Sequence, residues 1–326
     1  MSPTSASELM APIQQAMEAT DRELSVLLAD ESEAIEALTR HISRYAGKRL
    51  RPALLHLFAG AVGTPTDEHP RIGALVEALH MASLLHDDVL DDADLRRGIA
   101  TLNALHDNQV PILLGDWIYA RAYSAALELS TLVAARELAR ASRAVILGEI
   151  EQTFFRYRTT FDEARYFAIV RDKTAALYEA AARLGAHYAG GDAQVCAEAA
   201  LFGRELGMAF QIIDDCLDVT GEEAVVGKSL GTDLETGKIT LPVIRLAQGL
   251  DGARRERFVS LLRDELDGSR RRALQAEFDF EPVVAGCRAE ARALVERSLG
   301  RLARLQDGAH KRGLLGVADF VLARSY

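Results

Sequence analysis

Cysteine is scarce in this chain: Cys196, Cys216 and Cys287 are the three among 326 residues. They form no CxxC pair and cannot all bridge one another, so reduced, buried thiols in a cytoplasmic setting are expected. Long apolar runs are missing too. None approaches the ~18 residues of a membrane span, and the polar, acidic stretch from Met1 to Asp30 lacks the basic-then-apolar layout of a signal peptide. Positive charge is in short supply, with 38 Lys and Arg against 48 Asp and Glu, a net charge of −10 and a pI of about 5.4. Nucleic acids demand a basic footprint, so no such partner is expected; small phosphorylated substrates need only local cations. Sustained period-two alternation is absent, which argues against strands. So are GxGxxG and Walker loops and any Ser-His-Asp or Cys-His set.

Of the eight prolines, none falls between residues 112 and 241, a stretch rich in Ala, Leu and Glu. Proline breaks helices and those residues favour them, so the chain reads as all-α. Residues 5–44 suit two amphipathic helices, with Leu24, Leu27 and Leu28 on one stripe. After a break at 47–51, Pro52 suits the first position of a helix over 53–61. A loop over 62–70 precedes a helix from 72 through an acidic cluster. A turn at 105–109 precedes a helix opened by Pro111. Helices over 131–157, 163–189 and from 193 into a second acidic cluster follow. Residues 221–239 read as a loop, and 251–326 as three more helices. With 49% hydrophobic residues and no repeat or linker, one domain over residues 1–326 is expected, a single large bundle of long helices around a central cavity.

What is abundant is carboxylate in one place. Asp87, Asp88, Asp91, Asp92 and Asp94 fall within eight residues, followed by Arg96 and Arg97. On a helix, Asp87 and Asp91 project one turn apart from one face, where like charges repel unless a hard cation such as Mg²⁺ joins them to a phosphate. One DDxxD alone is read more readily as a solvated helix end. A second, Asp214-Asp215-Cys216-Leu217-Asp218, points instead to two metal-binding faces across one cavity. Lys48, Arg49 and Arg51 stand at a helix start, where N–H groups and the dipole favour phosphate, although a solvated basic turn fits equally. His80 shares the Asp87 face two turns earlier, and His86 is assigned to packing. Lys173, Lys228 and Lys238, taken singly, are surface charges or phosphate clamps.

Together the motifs LLHDDVLDDADLRRG, FQIIDDCLD, GKRLRP, GDWIYARA, KTAAL and GKSLGTDLETGKITLP resemble those of the trans (all-E) isoprenyl diphosphate synthases. The match runs through nearly the whole chain and is most like the long-chain, octaprenyl-type members. The resemblance implies a homodimeric helical bundle, three Mg²⁺ ions per site, and condensation of isopentenyl diphosphate with an allylic diphosphate. It carries metal ligation to Asp87, Asp91, Asp214 and Asp218, with Asp88 and Asp215 supporting. Arg96, Lys173, Lys228 and Lys238 match contacts to the allylic diphosphate. Lys48, Arg51, His80 and Arg97 match the isopentenyl diphosphate site, while Arg49 is assigned no contact. Gln211 and Thr174 match positions near the reacting carbons, and the 221–239 loop a lid.

Product length is implied by residues below Asp87. Ala82 and Ser83 are small where members stopping at C15 or C20 carry an aromatic plug; Ala126 and Leu138, near the tunnel floor, are not aromatic. A C30–C50 product is expected, and Ala82→Phe is expected to shorten it. Pro111 departs from the family pattern and bears on the Ala126 assignment. A short-chain synthase, a non-catalytic partner subunit and a class I terpene cyclase are the alternatives; the last would replace the second aspartate motif and dispense with GKRLRP.

Overall fold

The computed structural model describes residues 10–45, 47–220, 232–263 and 269–324. Helices α1 (Gln14–Leu27) and α2 (Glu33–Ile42) come first, the latter capped by the Ser32 side chain. Helix α3 (Leu50–Val62) starts earlier than proposed, with Pro52 inside its first turn, where an N–H has no helical acceptor anyway. Its N-cap, Arg49, takes a left-handed φ of 50° and is held by Asp21 at 2.8 Å.

Helix α4 (Glu68–Leu90) carries the first aspartates but stops inside the motif, leaving Asp91 as its C-cap. The chain then makes a feature the sequence did not announce. Leu95–Arg96 pairs antiparallel with Ile99–Ala100 across Arg97 (φ 53°) and Gly98 (φ 75°). Positive φ at both central residues is the geometry that matches strand twist in a two-residue hairpin. This small hairpin turns Arg96 back towards α4.

Helices α5 (Gln109–Leu127) and α6 (Val133–Phe154) follow. Pro111 lies in the first turn of α5, where it leaves the helix unbroken, and Ala126 on the same helix is buried. The expected 163–189 helix divides into α7 (Glu163–Val170), a π turn at Arg171–Ala175, and α8 (Ala176–Tyr188). Helix α9 (Ala193–Thr220) runs through the second motif as expected.

Residues 221–231 lie outside the described set, and with them most of the proposed lid. A helical turn at Thr232–Glu235 precedes α10 (Leu241–Gln248). Among the described residues the C-terminal part holds four α-helices rather than three: α11 (Gly252–Arg263), α12 (Arg270–Glu277), α13 (Glu281–Gly300) and α14 (Ala309–Leu322).

Two apolar cores set the two motifs in place. One, with Leu75, Leu79, Leu85, Leu114 and Ile118, holds α4 against α5. The other, with Phe202, Leu206, Ile213, Val295 and Val317, holds α9 against α13 and α14. Helix α8 packs on both α9 and α3. Gly185 permits the second contact, since a Cβ there would run into the Leu55 carbonyl. The all-α bundle expected from the sequence is therefore observed.

Candidate active site

The first face is built on the last turn of α4. Asp88 is buried and accepts a bidentate pair from Arg96, with Nε at 2.9 and 3.0 Å and Nη2 at 2.6 Å. The hairpin therefore turns the expected diphosphate contact into the counter-ion of a neighbouring aspartate. Burial pushes Asp87 up to about 6, helped by Glu149 and Asp91 and opposed by Lys173. Asp91 behaves oppositely. Burial would raise it, but Lys238, Lys173 and Arg156 hold it below the usual range. Lys238 Nζ lies 2.6 Å from its Oδ2, and Arg156 Nη2 2.7 Å from its Oδ1.

The second face lies on α9. Asp215 accepts from the Tyr166 hydroxyl at 2.6 Å and the Gln211 amide at 2.7 Å. Burial, reinforced by Asp233, pushes its carboxyl well above the carboxylate range. It supports the site by holding Gln211, which accepts from the Thr174 hydroxyl at 2.9 Å. Asp214 is more open and meets Arg324 Nη2 at 3.1 Å. Asp218 is buried and accepts the Asp233 amide at 3.3 Å.

Lys238 joins the two faces. It reaches Asp91 on one side and Asp233 Oδ1, at 3.5 Å, on the other, and Asp233 in turn touches Asp218. Lys173, in the π turn, is paired with Glu149 and donates to Gln152 Oε1 at 2.8 Å. Gly148 allows this approach, because a Cβ there would stand 2.5 Å from the Lys173 nitrogen. Lys228 lies outside the described residues.

The basic group at the start of α3 forms a second cationic wall. Lys48 Nζ sits 4.6 Å over the Phe320 ring, and burial and Arg324 lower its pKa. The Arg51 guanidinium stacks 4.4 Å over Tyr178. Arg97 donates to the Tyr45 carbonyl, and Gly47 leaves room for its guanidinium. His80 is kept neutral by burial and by Arg51, Arg96 and Arg97. With Arg97, Glu77, Leu24, Leu28 and Met81, it lines a cavity of about 430 Å³ between α1, α2 and α4. Arg49 instead pairs with Asp21 and lies 3.8 Å from Glu77. His86 packs against Gly115 and lies 3.2 Å from the Ile112 carbonyl.

Of the four residues expected along the product path, Ser83 is half-buried and donates to the His80 carbonyl, whereas Ala82, Ala126 and Leu138 are completely buried. Tyr119 and Tyr123 on α5 stack at 6.4 Å, with Tyr119 beside His86 and near enough to Asp87 to feel its charge. The sequence reading passed over this aromatic pair. It also passed over Glu149, Gln152, Arg156, Tyr166, Asp233 and Arg324. Glu149 and Gln152 share a helix face at i, i+3, a signal that could have marked them; Arg324 carries no local signal.

A helical bundle that sets two aspartate motifs across a lysine bridge, with a separate cationic wall beside them, is the framework of an enzyme that elongates prenyl chains. The chain belongs to the polyprenyl synthetase family, whose model matches residues 32–276, and it is a prenyltransferase. An all-trans-nonaprenyl-diphosphate synthase (geranyl-diphosphate specific) of Rhodobacter capsulatus is 31% identical over 327 residues, covering 97% of each chain. A short chain isoprenyl diphosphate synthase of Methanothermobacter thermautotrophicus is 32% identical over 330 residues, covering 98% of this chain and 99% of that one. A crystal structure of a polyprenyl synthase from Caulobacter crescentus CB15, complexed with calcium and isoprenyl diphosphate, superposes with a TM-score of 0.93 at 31% identity over the whole of both chains. Relatives of nearly equal identity thus carry long- and short-chain names, so product length must be sought in particular side chains.

Proposed function

We propose that this protein is a Mg²⁺-dependent synthase that condenses isopentenyl diphosphate with farnesyl or geranylgeranyl diphosphate to give an all-trans polyprenyl diphosphate of C30–C50. The observation that carries this reading is the Asp91–Lys238–Asp233–Asp218 chain, which spans both aspartate motifs. Among the described residues, no three acidic, histidine or cysteine side chains are gathered into a ready-made ion cage. Hard carboxylate oxygens on Asp87, Asp91, Asp214 and Asp218 nonetheless suit Mg²⁺, which commonly completes its shell with water and substrate phosphate. Bound there, Mg²⁺ would neutralise charge on the departing diphosphate.

The side chains divide the remaining work. Lys173 and Lys238 present cations to the allylic diphosphate. Lys48, Arg51, Arg97 and neutral His80 bind isopentenyl diphosphate, setting its double bond against the allylic carbon. Gln211 and Thr174 lie beside the reacting carbons where the new bond forms, and the apolar walls exclude water from the allylic cation. The departing diphosphate is the base that takes the final proton.

Small residues at Ala82, Ser83 and Ala126, with Leu138, support a long product. Tyr119, near enough to Asp87 to feel its charge, and Tyr123 stacked on it are bulky side chains that favour a shorter one. Incubation with Mg²⁺, isopentenyl diphosphate and farnesyl diphosphate, then mass analysis of the dephosphorylated product, decides between them. A C30 or longer prenol is expected; a product ending at C20 overturns the long-chain reading, and no product from any allylic starter overturns the enzyme reading.

No helix among the described residues is long and apolar enough to cross a membrane. We assign the enzyme to the cytoplasm, with peripheral membrane contact for releasing so apolar a product. A homodimer is supported by Ile146, Leu147, Ile150 and Phe154, an exposed apolar stripe along α6.

A further inference from the structure

Arg156 is assigned no role by its family motifs, yet it is aimed at the centre of the site. Its Nη2 lies 2.7 Å from Asp91 Oδ1 and its Nη1 donates to the Leu90 carbonyl at 3.0 Å. The side chain is 16% exposed, and its buried Nε has no hydrogen-bond acceptor among the described residues. The turn that delivers it is itself fixed. Tyr157 takes a φ of 59°, donates its amide to the Gly237 carbonyl at 2.8 Å, and donates its hydroxyl to the Glu235 carbonyl at 3.1 Å. Gly237, at φ 73°, is the residue before Lys238, and a Cβ there would meet the Tyr157 ring. One small interface therefore sends two cations to Asp91, Arg156 to Oδ1 and Lys238 to Oδ2.

A divalent ion that ligates this carboxylate must share an oxygen with a protein cation or displace it. Displacement is the less costly, because two positive centres on one oxygen repel at short range. Arg156 is the better candidate to move: Lys238 is also tied to Asp233, whereas among the described residues Arg156 holds only Asp91 and one carbonyl and keeps an Nε donor in reserve. A guanidinium released beside bound diphosphate would find oxygens matched to its fork.

We propose that Arg156 is a displaceable counter-ion of Asp91: it holds the carboxylate before metal arrives, yields Oδ1 to the ion, and turns to the diphosphate. This rests on the reading of Asp91 as a metal ligand. It makes Arg156 a positioning residue with opposite effects in the two states. It opposes metal in the free enzyme and favours metal once diphosphate is present.

The test is Mn²⁺ binding to the full chain, followed by the electron paramagnetic resonance signal of the free ion, with and without inorganic diphosphate. Arg156→Gln is expected to bind Mn²⁺ alone about fivefold more tightly than wild type, the scale of losing one partly exposed ion pair. With diphosphate added, that gain is expected to vanish or reverse. Arg156→Lys, which keeps the charge, should stay near wild type, as should Arg158→Gln two residues on. Unchanged or weaker Mn²⁺ binding by Arg156→Gln, or an equal gain in Arg158→Gln, overturns the proposal. Asp91→Asn separates the two readings: if it binds Mn²⁺ as wild type does, the assignment of Asp91 to metal fails instead. Should Arg156→Gln lose its fold by circular dichroism, Arg156→Met in the same titration carries the test.

Discussion

Asp88 and Arg96 show how much a single contact can constrain the site. Asp88 is 2% exposed and satisfied by a fork of guanidinium nitrogens. Removing the arginine strands a buried charge, which typically costs about 3–5 kcal/mol, more than the pair itself contributes. Arg96→Gln should therefore unfold at markedly lower urea concentration than wild type, while Arg96→Gln with Asp88→Asn should recover most of the difference. Equal destabilisation in both variants would show that the pairing is incidental. His56 makes a second residue-scale case. Its Nε2 lies 2.7 Å from the Thr20 hydroxyl, and burial, with His69, lowers its pKa to about 4. Because the folded value lies below the unfolded 6.5, the stabilisation is complete above pH 6.5 and is lost as pH falls towards 4. The span corresponds to about 3 kcal/mol. Unfolding measured at pH 7, 5.5 and 4.5 should show this slope, and His56→Gln should flatten it. The aspartates, Lys173, Lys238 and Gln211 were legible in the sequence because their motifs are local. Arg156, Arg324 and Tyr166 were not, because each reaches its aspartate from a distant segment, 65, 110 and 49 residues away.

Elements place these residues. Helix existence was readable from composition and proline spacing, and α9 through the second motif follows the expected range closely. The misses share one cause: they are local departures from regular helix. The Arg97–Gly98 hairpin, the early stop of α4 at Leu90 and the π turn at Arg171–Ala175 leave little trace in periodicity. The π turn sets Lys173 directly against Gly148 on α6. Gly148→Ala is expected to push the two segments apart, costing about 1–3 kcal/mol and lowering kcat/KM by about tenfold to a hundredfold through misplacement of Lys173. Steady-state kinetics beside thermal unfolding checks this; a stability loss with normal kinetics would place Lys173 outside the diphosphate site.

For the whole molecule, the α6 stripe and the path below Asp87 carry the predictions. Leu147 is 51% exposed in the middle of the stripe. Leu147→Glu should convert a dimer to monomer in sedimentation velocity with little change in monomer stability, since burying an unpaired carboxylate in an apolar interface is costly. A wild-type monomer at micromolar concentration would remove the homodimer reading. Ser83→Phe, on the Asp87 face, should shorten the product by one or more five-carbon units. Ala82→Phe should do so at an added cost in stability, because Ala82 is already fully enclosed.

The π turn has a further consequence. Five residues that span a widened turn add one surplus residue to the rod from Glu163 to Tyr188. That surplus acts as a phase shift in the sequence: the spacing of packed residues before Arg171 falls one residue out of step with the spacing after Ala175. Tyr166 can thus point to Asp215 and Lys173 to Glu149 while Tyr178 and Leu184 remain seated in the cores. A one-residue deletion at Asp172 would restore regular winding and leave α7 close to its present orientation, but it would remove the widened turn that sets Lys173 against Gly148. The rod would survive with its neighbours, and Lys173 would lose its place.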